Sequence, residues 1–147
     1  STIVKDLAVV HDPDAGLVDA WVMETMDIVN YTSAATALTI TPSTSSGSYT
    51  QGLIEVWAMG HNSGNEEGHI LNRWFFNISG GNPVVTQIGS DETEGSNPVL
   101  TVDVDSNDMR VRIAKHASGS RFDGTLFARL FLPGVAGSAV TYTITKT

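Results

Sequence analysis

The chain has 147 residues, 41% of them hydrophobic, and a formal net charge of −8. That length and apolar share suit one domain with one core that needs no staple, and the absence of cysteine excludes disulfides and thiolate metal sites. The acidic balance repels nucleic-acid phosphates, and no apolar run approaches the roughly 20 residues that span a bilayer.

Ser1 to Val10 is apolar-leaning, with Ile3, Val4, Leu7, Val9 and Val10 ahead of the turn-like His11-Asp12-Pro13-Asp14. It reads either as an edge strand of its own sheet or as an arm laid on another subunit, because arms exploit unpaired sheet edges. Residues 1–16 are therefore set apart from a sandwich over 17–147. The opening Ser-Thr-Ile-Val-Lys reads as a start left by removal of an initiator Met. No basic-then-apolar export segment opens the chain.

Leu17 to Val29 carries two patterns. Val18, Val22, Met26 and Val29 fit helical spacing, with Asp12-Pro13 as a start. Gly16 interrupts that helix, and the Val, Ile and Thr content favours a strand. Ala37 to Thr41 is a short strand, and Pro42 to Ser48 a loop rich in serine and threonine.

Leu53 to Met59 is apolar on both faces except at Glu55. Leu71 to Ile78 sets Trp74, Phe76 and Ile78 against Arg73, Phe75 and Asn77. Pro83 to Ile88 is a short β-branched run. The sharpest signal is Leu100, Val102 and Val104 alternating with Thr101, Asp103 and Asp105. After Ser106-Asn107-Asp108, Met109, Val111 and Ile113 alternate with Arg110 and Arg112. Period two on both sides of a polar turn predicts a hairpin with one wet face, acids opposite arginines. Thr125 to Leu132 places Leu126, Ala128, Leu130 and Leu132 on one face, and Phe127, Arg129 and Phe131 on the other. Val140, Tyr142 and Ile144 alternate with threonines in a last strand. Polar loops are predicted over Gly60–Gly68, Ser90–Asn97 and His116–Gly124. The fold class is all-β, a single-domain antiparallel sandwich.

Chemistry is sparse. His61, Glu66, Glu67 and His69 are ligand types in one loop, but their flexible glycines pre-organise nothing, and solvation is the preferred reading. Asp103, Asp105, Asn107 and Asp108 start like a calcium loop, which then fails at its glycine, where Asp108 sits, and at its distal glutamate, where Ala114 sits. No nucleophile elbow occurs. Asn30-Tyr31-Thr32 and Asn77-Ile78-Ser79 match the glycosylation pattern and are taken as chance. The chain reads as a non-enzyme without cofactor or metal. Strands apolar on both sides need covering on both sides. Trp57 beside Glu55, with Phe127 and Phe131 flanking Arg129, has the composition of a protein interface. Glycan stacking on these rings is the alternative.

The run "GSYTQGLIEVWAMGHNSGNEEGHILNRWFFNISGGNPVVTQIGS", followed by "PVLTVDVDSNDMRVRIAKHASGSRFDGTLFARLFL", resembles small jelly-roll modules in virion proteins of tailed bacteriophages. It covers Ser48 to Leu132. In many such modules a Trp stands shortly before the "AR" pair of the closing strand, where this chain offers only Phe122 and Phe127. No shaft-like repeat precedes the pattern, which suits a capsid decoration (cement) protein better than a fibre tip. The resemblance implies a jelly-roll trimer on the capsid surface, made in the host bacterial cytoplasm. Its partners are the major capsid protein and its own copies, not nucleic acid or membrane. Trp57, Phe127, Arg129 and Phe131 would pack between subunits, and Ile3, Val4 and Leu7 would lie on the shell or a neighbouring protomer. The alternative it implies is a glycan-recognising tip module of a tail fibre or spike, reading through loops 60–68 and 116–124.

Overall fold

Side chains two apart on a strand share a face, so the alternating runs can bury one face only by stacking two sheets. The computed structural model describes residues 8–11, 17–43, 49–62, 66–79, 82–135, 140 and 142–147. Within them lie β1 (Ala8–His11), β2 (Leu17–Tyr31), β3 (Ala35–Pro42), β4 (Tyr49–Asn62), β5 (Glu67–Ser79) and β6 (Asn82–Gly95). β7 (Val99–Asp105), β8 (Asp108–Ala114), β9 (Phe122–Phe131), β10 (Gly134–Val135) and β11 (Tyr142–Lys146) complete the set. The larger sheet has the order β1-β2-β9-β4-β5-β6, with β10 also paired to β2, and the smaller β11-β3-β8-β7. Every pairing is antiparallel. The fold is a β sandwich. β2 pairs β9 in the larger sheet and β3 pairs β8 in the smaller, and a β4–β5–β6 meander widens the larger sheet.

The inner faces meet in one core. Ile54, Val56 and Ala58 of β4, Phe76 and Ile78 of β5, and Leu126, Ala128 and Leu130 of β9 are buried against Leu38, Ile40, Val102, Met109, Val111 and Ile113 of the smaller sheet. Trp74 packs against this cluster from a half-buried position. The strand reading of Leu17 to Val29 matches β2. The ambiguity has a physical source, since β2 buries Glu24 and Ile28 on one side and leaves Val29 and Asn30 exposed. A bulge after Ile28 shifts the β2–β9 register, with Asn30 at a φ of 59° and its amide donating to Asp123 Oδ1 at 2.7 Å.

The predicted hairpin is β7–β8, with Asp103 opposite Arg110. Arg110 grips Asp103 with two bonds, at 2.8 and 3.0 Å, and reaches Asp105 at 2.9 Å. The loops predicted at Gly60–Gly68 and Ser90–Asn97 are shorter than expected, because β4 runs to Asn62, β5 starts at Glu67 and β6 continues to Gly95. The acidic tract of β6 stays a strand because backbone pairing with β5 needs no apolar side chain and an edge strand faces water. Pro83 is tolerated there for the same reason. Residues 8–11 form β1 on the chain's own β2, whereas Ile3, Val4 and Leu7 lie outside the described residues.

Candidate functional site

The two outer faces differ in chemistry. The smaller sheet presents Thr39, Thr41, Thr101, Asp103, Arg110, Arg112 and Thr143, a mostly wet surface on which Val99 is also exposed. The larger sheet presents the residues that apolar-on-both-sides strands leave over. Register places Trp57 between Phe127 of β9 and Leu71 of β5, and Leu53 between Phe131 and Phe75. Leu53, Trp57, Met59 and Ile88 are 38 to 44% exposed, high for side chains of that size. Phe127 and Phe131 are half-buried.

Between the two apolar rows runs a row of charges. Glu55 is opposite Arg129 on one side and Arg73 on the other. Arg129 Nη2 donates to Glu55 Oε1 at 3.0 Å, and Arg73 Nε to Glu55 Oε2 at 3.0 Å. Arg73 Nη1 then donates to Glu92 Oε1 at 2.8 Å. Glu92 and Glu55 together hold the Arg73 guanidinium above its ordinary value. Glu92 reaches this row because β6 bulges between its partners Ile88 and Glu92, at Gly89 with a φ of 71°.

Trp57, Phe127, Arg129 and Phe131 thus share one face across two neighbouring strands. Arg73, Glu92 and Ile88 extend that face, and sequence reading did not join them to it. The outward alternation of Leu71, Arg73 and Phe75 was the available signal.

At one end of this face lies an open recess of about 410 Å³, lined by Met59, His61, Glu67, His69, Thr125 and three glycines. Gly124 pairs with Gly60, Gly60 with Gly68, and Gly68 with Gly95 across four strands. A Cβ on Gly60 would stand 2.1 Å from the Asp123 carbonyl oxygen, so only glycine lets β4 and β9 approach this closely. The Trp57 ring meets the His69 ring edge-on, centroids 6.4 Å apart, and His69 Nε2 lies 3.9 Å from Glu94 Oε2.

Among the described residues no three metal-ligand side chains converge. Glu66 instead accepts from Asn62 Nδ2 and Ser96 Oγ, both at 2.9 Å, and those two bonds hold its carboxyl below the usual range. Asp103, Asp105 and Asp108 are likewise engaged, the first two by Arg110 and the third by the Thr41 hydroxyl.

No family model matches the sequence, and no curated protein is similar to it. Among solved structures, the fold is similar to part of the tailspike protein of Acinetobacter phage vB_ApiP_P1. The TM-score is 0.49 at 17% identity, covering 82% of this chain and 22% of that one. The tailspike protein of Acinetobacter baumannii phage AM24 gives 0.45 at 13% identity, covering 88% and 29%. Tailspike gp49 of Acinetobacter baumannii bacteriophage Fri1, a capsular polysaccharide depolymerase, gives 0.49 at 10% identity, covering 97% and 22%. The chain spans less than a third of each of these proteins.

Proposed function

We propose that this chain is a structural module of a tailed-phage virion that works by packing against protein and not by catalysis. The observation that carries this reading is the outer face of the larger sheet. Exposed Leu53, Trp57, Met59 and Ile88 gathered on one side of a sandwich whose other face is mostly threonine and ion pairs call for a covering partner. On the capsid surface that partner is the major capsid protein, and burial repeated at many lattice sites stabilises the shell by mass action.

A second reading is the glycan-recognising module of a tail fibre or spike, favoured by the open recess beside Trp57. The exposed Trp57 indole meets His69 edge-on, and the recess that His69 lines with His61 and Glu67 adds hydrogen-bonding groups to that stacking surface.

Gold-labelled antibody on intact particles of the parent phage tests both. Label over the shell, with purified chain binding emptied capsids, supports decoration. Label at the tail, with glycan-array binding lost in Trp57→Ala, supports the second reading. A chain absent from the particle refutes both.

A further inference from the structure

We infer that Glu67 and Glu94 set the glycan class of the recess beside Trp57, admitting neutral or amine-bearing sugars and turning away acidic ones. The inference rests on the second reading above, in which that recess holds a glycan.

The recess of about 410 Å³ does not stop at β5. At Glu67, Gly68 and His69 it adjoins a second hollow of about 340 Å³, which Glu94 and Gly95 complete. Together the two cross β9, β4, β5 and β6, three strand spacings or about 14 Å. A short oligomer lying across the strands fits that length.

The groups along this groove accept hydrogen bonds more than they donate them. Glu67 and Glu94 are exposed carboxylates, which only accept. His61 Nδ1 lies 3.1 Å from the Asn62 carbonyl oxygen, so a neutral His61 donates there and keeps Nε2 as an acceptor. His69 Nε2 stands 3.9 Å from Glu94 Oε2, too long for a hydrogen bond. Arg121, near this end of the sheet, is bound to Asp123 at 2.6 Å, and Asp123 is opposite His61 in register. Among the described residues no Lys or Arg pairs with Glu67 or Glu94. With histidine neutral, the groove carries two uncompensated negative charges. Sugar hydroxyls and amines donate to such a surface, in charge-assisted bonds. A sugar carboxylate donates nothing, and its charge meets Glu67, Glu94 and a chain of net charge −8.

An array printed in matched pairs tests this, each uronic-acid oligomer beside its carboxyl-reduced neutral form. The chain is applied at about pH 8, above the ordinary histidine range. Salt is kept at about 20 mM, where screening is weak. The wild type should bind at least one neutral member about tenfold or more tighter than its acidic parent. Glu67→Gln with Glu94→Gln should close that gap to about threefold or less, each single change closing part of it. Asp105→Asn removes one exposed acid from the smaller sheet and should leave the gap intact. Circular dichroism melts check folding, and if the double variant does not fold, the two single variants carry the test. An acidic parent held as tightly as its neutral form overturns the inference. So does a gap that survives Glu67→Gln and Glu94→Gln, or one that Asp105→Asn closes equally. Acidic glycans bound by the wild type and lost in Trp57→Ala uphold the second reading and overturn only the inference. A chain that binds neither member of any pair refutes that reading, and the inference falls with it.

Discussion

Replacing Asn72 by leucine removes a polar tie between the two sheets. Asn72 is 1% exposed on the inner face of β5. Its Nδ2 donates to the Leu100 carbonyl on β7 at 3.1 Å, and its Oδ1 accepts from the Trp74 indole at 3.0 Å. Leucine branches at the same carbon but is the bulkier side chain, so the change strips a donor and an acceptor and adds crowding that only increases the loss. The buried Leu100 carbonyl loses a partner, which costs about 1–3 kcal/mol. The half-buried Trp74 N–H can turn to water, so its share is about 1 kcal/mol or less. Leucine's added apolar burial offsets about 1 kcal/mol of this. The net loss expected is about 2 kcal/mol, or a midpoint about 4–8 °C lower for a chain of this length. Urea unfolding followed by Trp fluorescence and far-UV circular dichroism measures it. The same substitution in a Trp74→Phe background should cost about 0.5–1 kcal/mol less, because no indole is left to strand. A loss under about 0.5 kcal/mol, or an identical loss in both backgrounds, would refute the assignment of Asn72 as a tie.

Acid should act through two aspartates. Asp103 is held below its usual range by the Arg110 bonds and then Arg112, and Asp123 by the Asn30 amide and then Arg121. A depressed folded-state value means stabilisation that is present above the ordinary 3.8 and lost as pH falls below it. Denaturation series at pH 7, 4, 3 and 2 should fall more gently for Asp103→Asn and Asp123→Asn, and parallel curves would contradict this. At the alkaline end, burial pushes the Tyr142 phenol up to about 12, opposed by its hydrogen bond with Thr50. Stability from this raised group is intact below pH 10 and declines towards 12. Absorbance titration should show a late-ionising tyrosine that Tyr142→Phe removes. Gly60→Ala drives a methyl into the β9 backbone and should cost about 1–3 kcal/mol or more. Gly89→Ala meets open space and should cost only about 1 kcal/mol for its left-handed φ, so equal melting shifts would count against the glycine row.

Much of the architecture is legible in the sequence. Period-two alternation is a local property, and it assigned Leu126, Ala128 and Leu130 to the core and Phe127, Arg129 and Phe131 to the outer face. The same reasoning read the β7–β8 hairpin with its Asp–Arg pairing, since two short segments joined by a tight turn have few registers to choose from. Where alternation competed with helical spacing, in β2, the bulge after Ile28 and the inward Glu24 had blurred the pattern.

What the sequence by itself determined is which face each side chain occupies, and that more apolar surface exists than one sandwich interior can hold. Only the tertiary structure decided which strands are neighbours. Glu55 finds Arg73 and Arg129 because β5 and β9 flank β4, and Asn72 finds Leu100 because β7 crosses from the other sheet. The Gly124–Gly60–Gly68–Gly95 row is likewise four unrelated residues until register aligns them. Alternation is set by the geometry of each residue's own backbone, whereas neighbour and register are set by closing long loops around a shared core, which no short window of residues encodes.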